Sequence, residues 1–172
     1  MNKSLLVLTA IIMLVGCKKT DAPTAAETEN SVTVTDAQLY LMATTSFKAA
    51  FFKNSSDTIP GNSGGAHAGN IVVWYNSIAK QELDVQGKVK SSASFADSSL
   101  IVKEIFNPAG GRLFYAIMFK RTAASNKGAG DWIWAELQAD GTPLISAKDK
   151  GAGCSGCHSA GVSYTRMNDS HP

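Results

Sequence analysis

Toward its C-terminal end the chain reads Gly153-Cys154-Ser155-Gly156-Cys157-His158. Two cysteines at a three-residue step lie on one side of a helical turn, and a histidine follows the second directly. Both sulfurs can then reach the two vinyl groups of one haem, while His158 presents an imidazole nitrogen to the iron from the same side. Ser155 and Gly156 are small, so the backbone between them can lie close to a porphyrin edge, and Gly151 and Gly153 loosen the approach. Three other chemistries use paired cysteines. A redox disulfide of the thioredoxin kind needs no histidine there and expects a βαβ context, which the sequence lacks. A zinc site needs a second ligand pair, and His67 and His171 stand singly. A Cys154–Cys157 disulfide is open to an exported chain but closes a very short loop. The expectation is one covalent haem c per chain, held by Cys154 and Cys157, with His158 as the axial iron ligand.

The chain has three cysteines in all, and the N-terminus accounts for the remaining one. After Met1-Asn2-Lys3 comes an apolar run over residues 5–15, broken only by Thr9. Its length suits a signal h-region and is too short to span a bilayer core of about 30 Å. The run ends Leu14-Val15-Gly16-Cys17, which looks like a bacterial lipobox; an ordinary secretory signal with a bystander cysteine is the alternative. A lipobox implies cleavage before Cys17 and acylation of that cysteine, so residues 1–16 are a signal peptide and the mature chain is anchored rather than membrane-spanning. Residues 17–35 are small and polar, a tether that cannot bury enough surface to offset its ordering entropy. The expected location is the bacterial cell envelope, periplasm-facing, at the outer membrane rather than the inner. A formal charge of +2 gives no basic footprint for nucleic acid.

What such a haem could do depends on its sixth coordination position. Fourteen residues follow His158, too few to wrap the opposite face of a porphyrin. This disfavours the small electron-transfer cytochrome architecture, though a non-enzymatic electron carrier stays an alternative beside a gas-binding module. Met167, nine residues on, would struggle to cross to the far side, while Met42, Met118 and His67 lie upstream as alternatives. Methionines at such positions are more often core filling than ligands. The expectation is a five-coordinate iron facing an open, partly apolar distal site.

The elements that must position these groups lie in residues 36–172, enough chain for one core. Thr35 or Asp36 can cap a helix running to about Lys53, with Leu39, Ala43, Phe47, Ala50 and Phe51 forming its apolar stripe. Residues 54–69 are a Gly/Ser/Asn loop, residues 70–75 a short strand and residues 77–83 a helical turn or two. Residues 100–106 and 112–120 are β-rich runs joined by Asn107-Pro108-Ala109-Gly110-Gly111, a hairpin signal. Residues 132–137 make a third strand, with Asp140-Gly141 turning into a short fourth. The predicted fold class is α+β, a mainly antiparallel β-sheet with an N-terminal helix and a short C-terminal haem-binding helix. In the run Leu100-Ile101-Val102-Lys103-Glu104-Ile105-Phe106, alternation puts Lys103 on one face between Ile101 and Ile105. A lysine there needs a partner, a route to solvent or a job.

A mainly β domain with its haem motif so late resembles the cytochrome P-460 family, which includes cytochrome c′-beta. The likeness runs through His67, Val72-Val73-Trp74-Tyr75-Asn76, Leu100-Ile101-Val102-Lys103-Glu104 and the strand from Phe114 to Lys120. It continues with Gly130-Asp131-Trp132-Ile133-Trp134, Asp140-Gly141 and Cys154-Ser155-Gly156-Cys157-His158, covering roughly residues 36–165. The resemblance implies a homodimer. On the P-460 branch it implies a lysine cross-linked to the porphyrin and oxidation of hydroxylamine with an electron acceptor. On the c′-beta branch it implies nitric oxide binding at a five-coordinate haem under a phenylalanine-rich cap. Lys103 matches the cross-linking lysine; an uncross-linked strand lysine is the alternative. Glu104 faces away by alternation and is not assigned as a distal base. Glu136 is read as a surface strand glutamate rather than an acid/base beside the haem. Phe47, Phe51, Phe95, Phe106 and Phe114 are all available for a cap.

Overall fold

A computed structural model of the protein describes residues 31–45, 52–53, 58–61 and 65–167. The signal segment, Cys17, Phe47, Ala50, Phe51 and His171 lie outside them. Helix α1 (Asp36–Thr44) opens on a reciprocal cap. The Thr35 hydroxyl accepts from the Gln38 amide at 3.2 Å, and the Gln38 carboxamide oxygen accepts from the Thr35 amide at 2.8 Å. The expected helix to Lys53 is corrected: α1 stops at Thr44, and Thr45 is extended with ψ 163°. Two consecutive threonines resist continuing the helix, and the Thr44 hydroxyl donates back to the Tyr40 carbonyl at 2.8 Å. Farther on, Phe52–Lys53 is a strand, β1, paired with Tyr75 and Trp74.

The remaining strands are β2 (Ile59–Pro60), β3 (Asn70–Tyr75), β4 (Leu100–Phe106), β5 (Arg112–Lys120), β6 (Trp132–Gln138) and β7 (Pro143–Ile145). They form one antiparallel sheet in the order β1-β3-β4-β5-β6-β7, with β2 also on β3. The class is α+β, mostly sheet. Asn107 closes the β4–β5 hairpin, its carboxamide oxygen accepting from the Gly111 amide at 2.9 Å. Among the described residues no helix is long and apolar enough to cross a membrane.

Period-two alternation gives the sheet two buried faces. Leu100, Val102, Tyr115, Ile117, Ile133, Ala135 and Leu137 pack on one side beneath Leu39 and Ala43 of α1. Val34 joins that core, and the buried Asn126 carboxamide clasps its backbone, donating to the Val34 carbonyl at 2.7 Å and accepting from its amide at 3.1 Å. The packed chain therefore begins before the expected tether ends at residue 35. Glu104 lies on this helix-covered side, as alternation requires. It is 3 % exposed, accepts from Trp74 Nε1 at 2.5 Å and pairs with Arg112 at 2.8 Å. On the other side Ile71, Val73, Tyr75, Ile101, Ile105, Met118, Trp132 and Trp134 form a second core. The C-terminal segment covers that one.

Candidate functional site

The strand register writes the floor of the site in three rows. Tyr75, Ile101, Met118 and Trp134 are cross-strand neighbours, then Val73, Lys103, Ala116 and Glu136, then Ile71, Ile105 and Phe114. The middle row is the polar one: a lysine and a carboxylate flank an alanine that is too small to fill the space between them. Above this floor is a cavity of about 500 Å³ whose lining includes Lys103, Glu136, His67, Cys154, Cys157 and His158. That volume is ordinary for a bound small molecule or cofactor.

The roof begins with α2 (Ser155–His158), a single helical turn. The His158 amide donates to the Cys154 carbonyl at 3.1 Å, bringing the two cysteines onto one side of the turn. The approach to α2 runs close over Trp134. A Cβ on Gly151 would come within 2.4 Å of the Trp134 ring, and Gly151 has φ +75°, so a glycine is required there. Cys154 and Cys157 are free thiols, the first half-buried and the second exposed. Burial pushes the Cys154 thiol up to about 11, helped by the nearby charges of Glu136 and Cys157.

His158 is fixed from two directions. Its ring stands edge-on to Trp134, centroids 4.9 Å apart, and its Nδ1 lies 2.8 Å from the Tyr164 carbonyl oxygen. A carbonyl only accepts, so Nδ1 carries the proton and Nε2 keeps its lone pair for a metal. Burial holds the His158 pKa below the ordinary histidine value, outweighing the Tyr164 bond and reinforced by Lys103, His67 and Arg166. A neutral imidazole is what iron ligation requires.

Opposite the Lys103–Glu136 row, His67 reaches in from the loop before β3. Its Nε2 is 2.9 Å from Glu136 Oε1, and its Nδ1 is 3.4 Å from Lys103 Nζ. The His67 ring lies 6.3 Å from that of His158 and 6.2 Å from that of Phe114, centroid to centroid. Glu136 is thus corrected from a surface glutamate to a cavity-lining one, its side chain 15 % exposed. It follows Trp132 and Trp134 at two-residue steps on β6, so alternation puts it on their face of the sheet, while its place beside Lys103 comes from the register of β4, β5 and β6. The pairing of His67 with both groups carries no local sequence signal, because the three come from different parts of the chain.

The other candidates divide between the two faces. Met118 and Met167 line the cavity, whereas Met42 packs against the core on the α1 side. Met167 therefore reaches the cavity despite its short distance from His158 in the chain. Phe114 packs on the cavity side, and Phe95 meets Trp132 edge-to-face with centroids 5.4 Å apart in the same core. Phe106 lies in register away from the cavity, under the Arg112 guanidinium at 5.5 Å.

A haem fits these residues. Two thiols and an imidazole lone pair share one side of an apolar-walled cavity, and the buried Tyr75 hydroxyl and Trp134 Nε1 have no hydrogen-bond partner among the described residues. Burial also raises the Tyr75 pKa, so its hydroxyl keeps its proton. Among the described residues no cluster of three or more His, Cys, Asp or Glu side chains suits a bare metal ion. Neither a scan against protein-family models nor a search of curated proteins finds a match for the chain.

Proposed function

We propose that the protein is a mono-haem c-type cytochrome of the cytochrome P-460 kind, acting on hydroxylamine, nitric oxide or both at a five-coordinate iron. One observation carries this reading: the Nε2 lone pair of His158, beside the paired cysteines, shares a cavity with the Lys103 amine. Cys154 and Cys157 would hold the haem by thioethers from α2, with His158 as axial ligand. When bound, the haem would supply a redox-active iron able to accept electrons from hydroxylamine or to bind nitric oxide. The chain's residues do the rest. Tyr164 and Trp134 orient His158, and the apolar row of Ile101, Met118 and Trp134 limits water in the cavity. Lys103 is the residue that would become linked to the porphyrin, and Glu136 is a carboxylate within the same cavity able to accept a substrate proton. The same reading makes the chain a homodimer, lipid-anchored through Cys17 and facing the periplasm, passing electrons to a separate acceptor.

The gas-binding alternative is favoured by Ile71, Ile101 and Met118, which give part of the cavity an apolar surface. In that case Lys103 stays an ordinary amine. Intact mass and the reduced optical spectrum decide between the two. Wild type should retain haem through acid–organic extraction and should give a haem-linked peptide containing Lys103. Lys103→Ala should keep the haem but lose hydroxylamine oxidation. Release of haem into the organic phase sinks the c-type assignment. Identical spectra for wild type and Lys103→Ala, with no turnover in either, sink the enzyme and leave the gas-binding protein.

A further inference from the structure

We propose that His67, oriented by Glu136, is a positioning residue that holds the Lys103 amine inside the cavity, an inference that rests on the cross-linking reading above. A lysine side chain is long and rich in rotamers, so its amine tends to spread over many positions and to seek water. Here the three polar groups are joined in one chain of hydrogen bonds. The Glu136 carboxylate only accepts, so His67 Nε2 must donate to it at 2.9 Å. That leaves Nδ1 of the neutral ring unprotonated, and an unprotonated Nδ1 is the acceptor that the Lys103 ammonium or amine needs at 3.4 Å. The other neutral tautomer would set two donors facing each other when Lys103 is an ammonium, and with either form of the lysine it would leave Nε2 without a proton for Glu136. One tautomer satisfies both contacts, and Glu136 selects it.

The sheet explains why an added residue is needed. Lys103 and Glu136 are separated by Ala116 in their row, and His67 stands over that alanine from a loop outside the row. The Phe114 ring beside His67 limits its swing. Linking Lys103 Nζ to a porphyrin carbon breaks one N–H and one C–H bond and forms one N–C bond. The two electrons and two protons released pass to a two-electron oxidant such as a peroxide, which leaves as two waters. Such a bond forms only from a well-placed nitrogen, and a misplacement near 1 Å slows comparable reactions about 100-fold.

The test compares full-length haem-loaded wild type with His67→Ala, His67→Asn, His67→Gln and Glu136→Gln. The readouts are the fraction of haem peptide carrying Lys103, by mass, and the reduced spectrum; neither depends on turnover. His67→Ala should retain haem through Cys154 and Cys157 while its Lys103-linked fraction falls about 10- to 100-fold. His67→Asn, whose carboxamide oxygen can sit near the Nδ1 position, should recover most of that loss. His67→Gln, which reaches Glu136 but offers Lys103 no matching acceptor, should not. Glu136→Gln can turn its amide N–H toward Nε2 and no longer selects one tautomer, so its Lys103-linked fraction should fall between those of wild type and His67→Ala. A wild-type level there overturns the orienting role of Glu136. Should His67→Ala fail to fold, the contrast between the Asn and Gln variants carries the test. A wild-type level of linkage in His67→Ala, or equal linkage in the Asn and Gln variants, overturns the positioning role alone. Absence of any Lys103 adduct in wild type overturns both this role and the cross-linking reading.

Discussion

Gly161→Ala should loosen the seat of His158 without touching any group that could bind haem. A Cβ at Gly161 would lie 2.0 Å from the Thr165 carbonyl oxygen and 2.6 Å from its carbon. Real Cβ contacts essentially never fall below 3.0 Å, so the turn between residues 161 and 165 must open by about 1 Å. A third atom, Arg166 Cγ at 2.8 Å, belongs to a side chain, but the two nearest are backbone and no side-chain rotation relieves them. The neighbouring carbonyl, Tyr164, accepts from His158 Nδ1 at 2.8 Å, and a 1 Å displacement along that line carries the contact beyond hydrogen-bonding range. Overpacking costs about 1–3 kcal/mol and the lost bond about 1 kcal/mol, a total near 2–4 kcal/mol. At roughly 4 °C per kcal/mol for a domain of this size, Tm should fall by about 8–16 °C. Thermal and urea unfolding of the haem-free chain measure the stability loss. In the haem-loaded protein the freed imidazole should weaken iron ligation about 10- to 100-fold, read as exchange of His158 by added imidazole. A variant with unchanged Tm and unchanged ligand exchange would refute the claim that this turn fixes the His158 ring.

Two further outcomes test other parts of the chain. Mature protein should begin at an acylated Cys17 and partition with membranes, while Cys17→Ala should accumulate as precursor; a wholly soluble wild type lacking an acyl mass removes the anchor. Asp97 reports on acid stability. Burial raises its pKa, but the Thr122 amide at 2.7 Å, the Arg121 guanidinium at 2.6 Å and the Thr122 hydroxyl at 3.1 Å outweigh it and leave the value below that of an ordinary aspartate. With the folded pKa depressed, the unfolded chain takes up protons first as pH falls, so this stabilisation is complete well above pH ~4 and is lost on passing below it. Asp97→Asn should therefore lose about 0.5 kcal/mol in urea unfolding at pH ~7, the exposed setting screening the pair, and the deficit should be smaller at pH ~3. An equal deficit at both pH values would contradict the assignment.

The strands were legible because their physics is local. Alternation and the Asn107-Pro108-Ala109-Gly110-Gly111 loop defined β4 and β5, and the same alternation separated Lys103 from Glu104. The end of α1 was not legible from its apolar stripe. Leu39 and Ala43 are buried, but periodicity does not register the threonines that end the helix or the pairing that draws Phe52–Lys53 to β3. Glu136 was misjudged by its residue type, since a lone glutamate in a strand usually faces water. Its place in the row with Lys103 follows from a register across two hairpins, which no single segment encodes. His67 needed still more, a loop folded back over the sheet.

A sheet of sequential neighbours also has a timetable. From β3 to β7 each strand pairs with the next in the chain. Because loop-closure entropy grows only slowly with length, even the long connection over residues 76–99 adds little to the cost of closing the wall. The segment bearing Cys154 and Cys157 follows every strand in chain order and docks onto a wall that can already stand. Once docked, Cys154 is half-buried with its thiol held up to about 11, and a protonated, shielded thiol is a poor nucleophile. On the proposed function, thioether formation would be fastest before docking, and haem attachment and final folding would compete for one interval. Substitutions that hasten docking of residues 153–158 would leave more chains folded with one cysteine unjoined.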